Sequence, residues 1–171
     1  MDNWVMTNTC LSLAQRSLKA AELQMERVWS PPNIKPNCTS EMIEANEHKL
    51  IEIHFYFVAM RNIHRFLDKT IKGDSIFESY KLHFEELNEK WFKHNSKGRE
   101  AFEHIDQRLP GEKHENKLVE IGNRKIHYGI RWSAGEFAHS NLVWDISVIT
   151  FGTFKTEISS FIEELKNESS R

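Results

Sequence analysis

Trp4, Leu11, Leu18 and Met25 fall seven residues apart, with Ala14, Ala21 and Val28 on the offset positions. Apolar side chains at three-four spacing lie on one face of an α-helix, so this seam predicts a first helix built to pack against another. The same spacing returns three times. Ile43, Leu50, Ile53, Phe57, Met60 and Leu67 share one side of a second helix that Ser40 is placed to cap, with Glu41 and Glu44 near its positive end and Gly73 at its close. Within it Ile51, Ile53, Phe55 and Phe57 also alternate as a strand would, but the helical pattern continues for turns on either side. Phe77, Tyr80, Phe84, Leu87 and Trp91 follow a capping box, Ser75 to Glu78. Trp144, Phe151, Ile158 and Leu165, with Phe154 and Phe161, hold one phase to the end of the chain and favour one long last helix over a strand followed by a shorter helix.

The breaks between these stripes set the organisation. Pro31, Pro32 and Pro36 end the first helix. The stretch HNSKG, from His94 to Gly98, is expected to interrupt or bend the third, leaving a fourth helical segment closed by Pro110 and Gly111. KLVEIGNRKIHYGIRW, residues 117–132, reads as a β-hairpin about a two-residue Gly122-Asn123 turn, with Val119 and Ile121 on the same face as Ile126 and Tyr128. The expectation is a mainly α, single domain over residues 1–171: a bundle of four to five helices with a hairpin inserted before the last.

A net charge of -2 offers no global field for a polyanion, so any such partner must meet a local patch. One exists. KWFKHNSKGR carries Lys90, Lys93, Lys97 and Arg99 with no acid, interleaved with Trp91, Phe92 and His94. Complementing the carboxyl end of the third helix would also account for these cations. Two cysteines, Cys10 and Cys38, without zinc-finger spacing argue against a disulfide framework or a structural zinc and suggest a reducing compartment. With no leader-like amino terminus and no long apolar run, a cytoplasmic protein is expected, with no membrane partner.

The patch leads into GREAFEHIDQRLPG. At about 100° per residue Phe102, Ile105 and Leu109 form the inward stripe, and Arg99, Glu100, Glu103 and His104 lie on the opposite arc. Arg99 and His104 stand roughly 140° apart, within reach of the long arginine side chain. Glu100, one turn before His104, and Glu103, between the pair, are placed to support it. A guanidinium binds phosphate through paired charged hydrogen bonds, and histidine moves protons near neutral pH, so the pair suits metal-free cleavage of RNA by its own 2′-hydroxyl. Lys93, His94 and Lys97 would be the accompanying RNA contacts. Arg-to-His spacings of this length also arise by chance, as Arg108 and His114 illustrate.

The run from Arg99 to His104, continuing through Ile105, Asp106, Gln107, Arg108 and Leu109, resembles the motif of the HEPN superfamily, an Arg and a His separated by four to six residues. The form with EH, then an acid and RL, is similar to the abortive-infection and toxin branch. The likeness is close over about a dozen residues and rests elsewhere on helix order. It implies a dimeric helical bundle, a metal-independent endoribonuclease needing no cofactor, Arg99 and His104 as the catalytic pair in a cleft between protomers, and an antitoxin or nucleotidyltransferase as a possible partner. Where members often carry Asn, His or Asp after the motif arginine, this chain has Glu100.

Other readings compete. A catalytically inactive module binding RNA, a nucleotide or a protein, or a purely structural dimerisation protein, would use the same helices. A di-metal centre would need two Glu-x-x-His motifs, and the chain offers only Glu136 with His139, outside any regular helix, so no metal is expected. On the second helix His54, Arg61 and His64 are spaced to reach across the bundle, though such residues more often serve packing.

Overall fold

The computed structural model describes residues 3–31, 39–103, 118–121, 124–127, 131–133, 135–139 and 142–170. It is mainly helical. Helix α1 spans Asn3–Trp29 and α2 spans Thr39–Gly73. They run antiparallel, with Lys49 of α2 at the carbonyls of Arg27 and Ser30, and Gly73 near Met6. The buried face of α1 steps through Thr7, Leu11, Ala14, Leu18, Ala21, Met25 and Val28. On α2 the matching row is Lys49, Ile53, Tyr56, Met60, Ile63, Leu67 and Thr70. Both rows alternate steps of four and three, the geometry in which side chains of two helices interlock along a seam. Trp4, expected in that seam, is 60% exposed, and Thr7 takes the inner position. Thr39 begins α2, so Ser40 lies inside its first turn rather than capping it.

The third rod is continuous but irregular. A 3-10 turn, Ser75–Tyr80, leads into α3, Lys81–Leu87, then a π turn, Asn88–Phe92, then α4, Lys93–Glu103. Asp74, not Ser75, caps its start, accepting a bond from the Ile76 amide. The expected break at His94 to Gly98 is absent, because those residues are the opening of α4, and the irregularity sits one turn earlier. Its physical use is visible in the core. Neighbouring helical residues point about 100° apart, yet Trp91 and Phe92 are both buried. Trp91 turns to the last helix of the chain, where its ring meets Phe154 and its Nε1 donates to Glu157 at 2.7 Å. Phe92 reaches His64 on α2, ring to ring at 5.2 Å.

Among the described residues two small sheets precede the last helix. Strands β1, Leu118–Ile121, and β2, Arg124–His127, pair antiparallel with Ile121 opposite Arg124, so the expected two-residue connection separates them. Tyr128 lies outside the described residues, as does the Pro110-Gly111 stop. A second sheet of β3, Arg131–Ser133, β4, Glu136–His139, and β5, Leu142–Asp145, has the order β3-β4-β5 and was not foreseen.

The last helix, α5, spans Val148–Ser169, not the longer stretch back to Trp144. Asp145 and Ser147 explain the boundary. Asp145 accepts from the Ser147 amide and the Thr150 hydroxyl, and Ser147 accepts from the Thr150 amide, a cap that starts a helix just after them. Trp144 and Ile146 are buried while Val143 and Asp145 are exposed, the period of a strand. Phe151, Phe154, Ile158, Phe161 and Leu165 then form the buried face of α5, as the sequence pattern predicts.

Candidate functional site

Helix α4 is held at three levels. At its start Phe92 lies against α2 and Trp91 against α5. One turn on, the His94 ring lies 5.2 Å from the Trp144 ring and its Nε2 is 2.9 Å from the Val143 carbonyl, while Trp144 Nε1 donates to the His94 carbonyl at 3.0 Å. A further turn on, Gly98 is buried on the Phe57 ring so tightly that an added Cβ would lie 2.7 Å from Phe57 Cε1. Glycine is required there by close approach, not by a turn. Phe57 is itself wedged against the buried pair Phe137 and Trp144 of the small sheet, at 5.6 and 5.7 Å. The sheet is tied to the far end of the bundle through Trp29 Nε1, which donates to the Ile146 carbonyl.

Arg99 follows this fixed glycine directly and is half-buried. Phe92 beside His64 and Gly98 beside Phe57 show that α4 runs antiparallel to α2. Arg61 and His64 of α2 line one groove with Lys93, Asn95 and Ser96 of α4, the helix that carries Arg99, and His54 stands on α2 three residues before Phe57. Glu100 and Glu103 lie on the last turns of α4. His104 is outside the described residues, and so is the geometry of its pairing with Arg99.

The remaining sequence candidates divide. Lys97 is exposed on α4. Lys93 is exposed but ion-paired with Glu89 one turn earlier, at 2.8 Å. His94 is engaged in holding α4 to β5. Glu136 and His139 lie on β4 rather than on a helix, so they do not form the helical Glu-x-x-His pattern of a di-metal centre. Among the described residues no group of three or more His, Cys, Asp or Glu is placed to hold a metal ion, and no helix is long and apolar enough to cross a membrane.

Sequence reasoning missed a groove of about 240 Å³ between α2 and the π turn with the start of α4. Met60, His64 and Phe92 form its apolar and aromatic lining, and Arg61, Asn88, Glu89, Lys93, Asn95 and Ser96 its polar lining. The His64 imidazole is stacked on Phe84, and burial pulls its pKa below the ordinary histidine value, opposed by Asp68 and by a hydrogen bond with Asn88. It is therefore neutral at pH 7. The available signal was the crowding of aromatic and basic residues between Lys90 and Arg99, but the π turn that opens the groove has no sequence signature. Such turns recur at functional sites because they displace a helix face by one residue.

No protein-family model matches this chain, and comparison with curated proteins and with solved structures found no match.

Proposed function

We propose that the chain is a metal-independent endoribonuclease of HEPN type, in which Arg99 binds the scissile phosphate and His104 transfers protons. The observation that carries this reading is the setting of Arg99: a half-buried arginine immediately after a glycine locked on Phe57, on a helix aligned with the α2 face that bears Arg61 and His64. Fixing a cation this way favours a partner with negative charge, since the position is prepared before the ligand arrives.

In the reaction the ribose 2′-oxygen bonds to phosphorus and the bond to the leaving 5′-oxygen breaks. The 2′-hydroxyl proton passes to a base and another proton reaches the leaving oxygen, producing a 2′,3′-cyclic phosphate. His104 serves these transfers, and Arg99 stabilises the charge gathered on the phosphorane oxygens. DNA lacks the nucleophile and is not cut. A second copy of the chain completes the site, because two symmetry-related arginine-histidine faces enclose a groove that one leaves open. Acting on RNA in the cytoplasm, such a protein fits a toxin or phage-defence role.

A binding-only protein is the alternative reading, favoured by the carboxylate of Glu100 directly after Arg99 in the sequence. Incubation of purified protein with mixed RNA in EDTA separates the two. Cleavage leaving 2′,3′-cyclic ends is expected, slowed by about 100-fold or more in His104→Ala. Undiminished cleavage by that variant refutes the assignment of His104, and retained binding without any cleavage favours the alternative.

A further inference from the structure

The groove between α2 and the π turn differs chemically from a phosphate site. Of its two cations, Lys93 is already matched by Glu89, and Glu89 itself lines the cavity. A phosphate would meet that carboxylate. A flat, uncharged ring would not. The buried Phe92 and Met60 form an apolar floor, the half-buried His64 imidazole supplies aromatic surface over it, and the exposed Arg61 supplies a planar guanidinium on which a ring can stack. Two polar groups suit the edge of such a ring. Asn95 donates its amide hydrogens to the Trp91 carbonyl, and among the described residues its side-chain oxygen takes no hydrogen bond. The Ser96 hydroxyl donates to the Lys93 carbonyl and keeps its lone pairs as acceptors.

The groove is also in register with Arg99. Asn95, Ser96 and Arg99 stand three or four residues apart on one helix, so they share a side and are separated along the axis by about 4.5 to 6 Å. That is within the reach of one extended nucleotide, base at one end and phosphate at the other.

We infer that the groove receives a single unpaired nucleobase of an RNA strand whose neighbouring phosphate lies at Arg99, making the protein selective for the base beside its cut. This rests on the reading of Arg99 as the phosphate ligand. It adds a recognition site on a different set of residues.

The test uses the full-length chain carrying His104→Ala, to prevent cleavage, and fluorescein-labelled six-nucleotide RNAs of A, C, G or U in EDTA, read by anisotropy. One base is expected to bind about fivefold or more tighter than the weakest. Ser96→Trp, an exposed position from which an indole fills the groove, should weaken that favoured RNA by about tenfold, the weight of one lost base stack, and level the four affinities. An RNA of abasic nucleotides should bind both proteins equally, and Arg61→Ala should shift base preference in the same direction as Ser96→Trp. Unchanged circular dichroism confirms that the fold persists. Arg99→Ala should weaken all four RNAs by one common factor.

A base preference that survives Ser96→Trp, or RNA binding with no preference in the starting protein, overturns the groove assignment. Cleavage by the unsubstituted chain together with an inert Ser96→Trp leaves the nuclease reading standing and removes only the groove. Loss of preference in Ser96→Trp without cleavage by the unsubstituted chain does the reverse. No RNA binding by any version overturns both.

Discussion

The α1–α2 seam and the seam between α5 and the rod from Ser75 to Phe92 are built by opposite means. The first is regular. Its inner positions include Ala14 and Ala21, both fully buried, which let two straight helices approach closely along an unbroken alternation of three and four. The second is filled by rings: Tyr80 and Phe84 against Phe161, Trp91 and Phe92 against Phe154. Large rings cannot be fitted at every turn of a straight helix, and on this side the rod passes through 3-10, α and π geometry in turn. The regular seam provides a scaffold. The irregular one creates the cavity and sets the angle at which α4 presents Arg99.

If this contrast is right, removing volume should hurt one seam most and adding volume the other. Phe161 is fully buried and touches Tyr80, His83 and Phe84, so Phe161→Ala is expected to cost about 3–5 kcal/mol of unfolding free energy. Ala14→Leu, which inserts three carbons between closely packed helices, is expected to cost about 1–3 kcal/mol. Urea unfolding measures both. A tolerated Phe161→Ala beside a damaging Ala14→Leu would show that the ring-filled seam is slack and that the π turn needs another cause.

Gly98 packs on Phe57 outside both seams, and a smaller effect is expected there. A methyl group pressing on the Phe57 ring costs about 1–3 kcal/mol by crowding, partly offset by about 1 kcal/mol from replacing glycine within a helix. Gly98→Ala should therefore lower stability modestly, and Phe57→Leu, which opens space, should restore part of the loss in the double variant. Additive costs would mean that the two residues do not meet as described.

How much of this was legible beforehand follows from the same contrast. Every helix of the scaffold was readable, because an amphipathic stripe depends only on local period and on which side faces the core. Heptad phase misled where two periods coincide: Trp144 keeps step with Phe151 and Ile158, but its burial comes from strand alternation, and the cap built by Asp145 and Ser147 fixes where α5 starts. The β1–β2 connection was readable from Gly122-Asn123, whereas the sheet of β3, β4 and β5 was not, since its strands are short and held by long-range partners such as Phe57 and Trp29. Of the candidate site, Arg99 could be singled out by residue type and spacing. The packing role of His94, the pairing of Lys93 with Glu89 and the groove over His64 depend on a π turn whose cause is tertiary.

Acidification gives the finest separation of the two sides of the π turn, because the groups on each side titrate in different windows. On the α2 side, burial holds the folded-state pKa of His64 below its ordinary value near 6.5, so as pH falls the unfolded chain takes the proton first. Stability tied to the neutral ring is thus present above about pH 6.5 and is lost as pH drops through the folded value; Asp68 moderates the effect and Lys72 reinforces it. On the α5 side, the hydrogen bond from Lys90, aided by that from Trp91, holds Glu157 below the ordinary carboxylate value of 4.5. Its contribution is present above that value and fades only below it. Thermal melting from pH 7.5 to 3 should therefore show two descents, with His64→Gln flattening the first and leaving the second, and Glu157→Gln leaving the first and reducing the second, which Glu22 and Asp145 share because their hydrogen bonds also hold them low. A single descent reduced by Glu157→Gln alone would mean that His64 is solvated in the folded protein, and the groove would then be too wet to select an uncharged ring.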